Sequence, residues 1–101
     1  MPARIPIDRA AIAAFCRRHH IRRMALFGSV LRDDFRPDSD VDVLVEFEPE
    51  HVPGFIRLAG IEEALRPLLG ARELDLITFK SLSPYIRDEV LAAAETLYDR
   101  A

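Results

Sequence analysis

Two aspartates, Asp40 and Asp42, open the apolar run Val41-Asp-Val-Leu-Val-Glu-Phe47, with ten residues between the pair Gly28-Ser29 and Asp40. Residues two apart in a strand project to the same face, so the two carboxylates stand together. Folding alone does not favour that pairing. Two like charges about 4 Å apart repel by about 4 kcal/mol at an effective dielectric of 20. A hard dication between them removes the penalty, and carboxylate oxygens are what Mg²⁺ prefers. A third acid, Asp75, interrupts the apolar run Leu74-Asp-Leu-Ile77. Placed beside Asp40 and Asp42 on a neighbouring strand, it would complete a cluster suited to two metal ions about 4 Å apart. Gly28 and Ser29 complement the acids. Glycine lets backbone approach a ligand closely, and amides of a turn after a strand can point at phosphate oxygens. The Ser29 hydroxyl adds a donor, and Arg32 lies one turn on. Phosphate donors facing metal-binding acids fit phosphoryl or nucleotidyl transfer, where positioning and charge neutralisation supply most of the catalysis.

The elements that must hold these residues fit one small domain spanning residues 1–101. Half the chain is apolar and 31% is charged, the balance of a globular protein. A net charge of −3 argues against a protein that coats nucleic acid, and no apolar run reaches the length of a membrane span. The single cysteine, Cys16, forms no intrachain disulfide and suits a reducing cytoplasm. Asp8 reads as the N-cap of a helix over residues 8–20, with Ile12, Phe15, Cys16 and His19 on one face. Residues 24–27 and 41–47 read as buried strands, and residues 30–35 as a short helical turn or loop. A second helix over residues 54–66 buries Leu58, Ile61 and Leu65, ending near Pro67 and Gly70. Residues 73–79 read as a third strand. Ser83 and Pro84 open a last helix with Ile86, Val90, Ala94 and Leu97 facing inward. The expected fold is α/β (α+β), a mixed sheet of three to four strands backed by helices.

Gly28-Ser29, ten residues, then Asp40-Val41-Asp42 resembles the GS-x10-DxD motif of the polymerase β-like nucleotidyltransferase superfamily. The wider stretch LFGSVLRDDFRPDSDVDVLVEFEP resembles its minimal nucleotidyltransferase (MNT) members, commonly the antitoxins of HEPN/MNT toxin–antitoxin pairs. The resemblance implies that Gly28 and Ser29 hold the triphosphate of ATP, and that Asp40 and Asp42 bind both Mg²⁺ ions. Asp75 matches the third carboxylate, which ligates the metal near the attacking group and helps deprotonate it. It further implies transfer of AMP to a tyrosine hydroxyl on a HEPN ribonuclease toxin, with no membrane and no stable nucleic-acid partner. One departure stands out. Many relatives read Ala-Arg-Gly where this chain has Leu31-Arg32-Asp33, which puts a carboxylate and a Cβ near the phosphates. Two alternatives therefore stay open: an antitoxin that acts by occlusion without catalysis, and a transferase acting on a small molecule.

Other readings of these residues stand beside the chemical ones. Asp40 alone is compatible with a loop cap, Asp75 with an edge-strand acid facing water, and Arg32 and Arg36 with solvated loop cations. His19, His20 and His51 show no metal-ligand spacing with the cysteine and read as helix-end or loop residues. Glu46, Glu48 and Glu50 read as a solvated charge run. Cys16 reads as a buried thiol, Lys80 as a surface lysine, and Tyr85 and Tyr98 as packing or surface residues.

Overall fold

A computed structural model describes residues 5–31, 36 and 40–100. Its elements run α1 (Arg9–Arg18), β1 (Ile21–Phe27), β2 (Val41–Phe47), α2 (Phe55–Leu65), β3 (Leu74–Thr78), α3 (Pro84–Ala93) and β4 (Glu95–Asp99). Short 3-10 turns fill Gly28–Leu31, Pro49–His51, Arg66–Leu69 and Phe79–Ser81. The sheet is mixed, in the order β3-β2-β1-β4, with β2–β3 parallel and the other two pairs antiparallel.

Local chemistry explains the helix boundaries. Asp8 caps α1 by accepting from the Ala11 amide at 3.1 Å, and Arg17 and Arg18 face the negative end of the helix dipole. Gly54 precedes α2, and Pro67 tightens the chain past its end into a 3-10 turn. Gly70 then closes that turn in the left-handed region at φ 80°. Ser83 caps α3 through the Tyr85 amide at 3.3 Å, with Pro84 in the first turn.

One face of the sheet carries the core. Met24 and Leu26 of β1, Val41, Val43 and Val45 of β2, and Leu74 of β3 pack with Ile12, Phe15 and Cys16 of α1 and Ile61 and Leu65 of α2. The opposite face is set by alternation and register. It carries Ala25 and Phe27 of β1, Asp42, Leu44 and Glu46 of β2, and Asp75 and Ile77 of β3.

The C-terminal region corrects the sequence reading. The last helix stops at Ala93, and Leu97 is buried in β4 rather than on a helix face. No residue of α3 is fully buried, and Ile86 is exposed. Residues 95–99 pair with β1 instead, where Leu97 joins the core and the Met24–Tyr98 pairing extends the sheet.

Candidate active site

The sheet topology brings two of the three acids side by side. Parallel pairing of β2 with β3 sets Asp42 opposite Asp75, so their side chains share a face one strand spacing apart, about 4.8 Å. Asp40 lies immediately before β2, two residues from Asp42. Its neighbour Val41 is tied to β3 through its amide, which donates to the Glu73 carbonyl at 3.0 Å. Asp42 is half-buried, while Asp40 and Asp75 are exposed. Because β3 is an edge strand, Asp75 faces water while standing opposite Asp42.

The glycine turn meets the same corner. Antiparallel pairing sets Phe27, the last residue of β1, opposite Asp42. Gly28 follows at φ 78°, a left-handed conformation that a residue with a side chain adopts at a cost. A Cβ built on Gly28 would overlap the Asp42 carboxylate oxygen Oδ2 and approach its Cγ to 3.2 Å. Glycine is therefore required twice, for the backbone angle and for the space over the carboxylate. Gly28–Leu31 then form a 3-10 turn that includes the backbone of Ser29. The Ser29 side chain, Arg32 and Asp33 lie outside the described residues.

These donors are hard carboxylate oxygens on a partly exposed rim, a set matched to Mg²⁺ rather than to softer ions. The bare backbone of Gly28 lies so close to Asp42 that any side chain there would displace the carboxylate.

A second cluster, at the other end of β1 and β2, escaped the sequence reading. His20, Glu48 and His51 place one ligand atom each within 4.8 Å of one another. The acids of the run Glu46-Glu48-Glu50 are also not all solvated. Glu46 sits against Arg23 at 3.7 Å, and Glu48 pairs with Arg100 at 2.9 Å and His20 at 3.3 Å. Sequence spacing does not show it, because the turn after β2 folds His51 back over His20, the residue just before β1.

A four-stranded mixed sheet with paired acids beside a glycine turn is the arrangement of a nucleotidyltransferase. The chain belongs to the nucleotidyltransferase domain family, whose model matches residues 9–96. It is 40% identical over 74 residues to the protein adenylyltransferase MntA of Thermococcus cleftensis, covering 73% of this chain and 72% of that protein. A solved structure described as a minimal nucleotidyltransferase superposes with a TM-score of 0.69 at 38% identity, covering 85% of each chain. The same fold, at TM-score 0.64 and 18% identity, occurs in a complex of a tri-AMPylated HEPN toxin of Shewanella oneidensis with its MNT antitoxin. That match covers 90% of this chain and 69% of the other.

Proposed function

We propose that this chain is a Mg²⁺-dependent antitoxin that transfers AMP from ATP to a hydroxyl, a tyrosine, on a HEPN ribonuclease toxin. The observation that carries it is the convergence of Asp42, Asp75 and the side-chain-free backbone of Gly28 at one corner of the sheet. In this reading Asp40, Asp42 and Asp75 hold two Mg²⁺ ions, and the amides and hydroxyl of Gly28-Ser29 grip the phosphates, with Arg32 as a further cation. When bound, the metal would neutralise phosphate charge and lower the barrier to displacement at the α-phosphorus. The acceptor oxygen attacks that phosphorus in line, pyrophosphate leaves, and Asp75 takes the hydroxyl proton. Exposure of Asp75 on an edge strand suits an acceptor delivered by another protein.

Surface composition supports a protein partner. Phe55 and Ile56, at the start of α2, are each 91% exposed, and Tyr85 is 96% exposed. Apolar side chains standing this free gain most by being covered. No helix among the described residues is long and apolar enough to cross a membrane, and the free thiol of Cys16 suits the cytoplasm, where we place the reaction.

Labelled ATP with Mg²⁺ and a HEPN partner tests the reading. The partner is expected to become labelled with the wild-type protein and not with Asp42→Asn; equal labelling by Asp42→Asn would overturn the assigned mechanism. The exposed apolar residues are equally compatible with an antitoxin that acts by occlusion alone. Calorimetry separates the two, because a pure occluder need not take up ATP with Mg²⁺.

A further inference from the structure

We propose that His20, Glu48 and His51 form a site for a borderline transition-metal ion, zinc being the reference case, separate from the acid corner. Two imidazoles and one carboxylate are a donor set that suits zinc, copper or nickel and not magnesium. One ligand atom from each residue lies within 4.8 Å of the others. Ligand atoms around a tetrahedral zinc ion stand roughly 3.3 Å apart, given bonds of about 2.0–2.1 Å. The Nδ1 of His20 is already 3.3 Å from Oε2 of Glu48.

Backbone hydrogen bonds lock the three residues to one frame. The Glu48 amide donates to the His20 carbonyl at 2.9 Å, and the His51 amide donates to the Glu48 carbonyl at 2.9 Å. His20 itself is held at φ 59°, in the left-handed region that non-glycine residues enter at a cost. The carboxylate is oriented from behind. Arg100 takes Oε1 of Glu48 at 2.9 Å, leaving Oε2 toward the imidazole. The two rings stack 3.6 Å apart at 7°, so a shared ion requires them to swing open about the exposed His51. Three protein ligands leave a fourth position for water or a group from a partner.

The site lies about 20 Å from Asp42, six strand residues away along β2 and just beyond it, so the two metal sites can be read independently. Zinc chloride is titrated into the metal-free full chain by calorimetry, with the thermal midpoint as second readout. His51→Ala, His20→Gln and Asp42→Asn are titrated in parallel. Wild type and Asp42→Asn are expected to bind one equivalent at this site and to gain several degrees in midpoint. Each histidine variant is expected to bind at least tenfold more weakly and to lose that gain. Absence of binding to the wild type, undiminished binding in His51→Ala, or loss caused by Asp42→Asn would overturn the proposal. Because the His51 side chain is exposed, His51→Ala remains decisive even where His20→Gln disturbs the turn.

Discussion

At the residue scale, Gly28 sets the corner, since one atom more would collide with the Asp42 carboxylate. Gly28→Ala forces a side chain into the left-handed region, a cost of about 1–2 kcal/mol, and pushes on the Asp42 carboxylate. Transfer of label to a HEPN partner is expected to fall about 100-fold, because displacement of catalytic groups by about 1 Å costs that much. Chemical denaturation of the same variant should show the smaller loss in stability. Cys16 offers a prediction of another kind. Burial among Ile12, Phe15 and Met24 raises its thiol from 9.0 to about 12, against a minor lowering from Arg17. The folded state thus holds its proton where the unfolded state releases it. The stabilising difference is complete below about pH 9 and is lost as pH rises from 9 toward 12. The limiting slope is about 1.4 kcal/mol per pH unit. Denaturation of wild type against Cys16→Ala should show the wild type losing stability faster across that window.

At the element scale, local pattern fixes some elements and long-range pairing fixes others. β2 was legible to the residue, because Val41-Asp-Val-Leu-Val-Glu-Phe47 combines β-branched density with turn-forming sequence on each side, Pro37-Asp38-Ser39 and Pro49. The cap of α1 was equally plain, and Asp8→Ala is expected to cost about 1 kcal/mol of stability, measured by urea denaturation, without changing AMP transfer. In the C-terminal region the alanines at 92–94 carry helix propensity forward past the true end of α3. Pairing with β1 overrides that propensity over Glu95–Asp99, a long-range contact that local pattern does not contain. The same reason hid the cluster of His20, Glu48 and His51. The acids were legible in kind, since Asp42 and Asp75 each interrupt an apolar run and Asp40 stands two residues before Asp42. Their juxtaposition rests on the parallel β2–β3 pairing, which no periodicity states.

At the scale of the whole molecule, one packed face holds Gly28, Asp42 and Asp75 in place on the opposite face. Leu26 of β1 is completely buried in the packed face, two residues from Gly28. Leu26→Ala is expected to cost about 2–5 kcal/mol and to lower the melting midpoint by about 10 °C or more, read by calorimetry. Neither proposed site draws on this packing directly. The acids sit at one end of the central strands and the two histidines at the other, so the sheet separates them by its own length. Exposed Phe55, Ile56 and Tyr85 leave apolar surface for a partner chain. The most direct measurement of the central claim is a crystal structure with Mn²⁺ and a non-hydrolysable ATP analogue, read by anomalous scattering. The expected result is manganese between Asp40, Asp42 and Asp75, with the phosphates against the amides of Gly28-Ser29. Manganese elsewhere, or a triphosphate bound away from that turn, would contradict it.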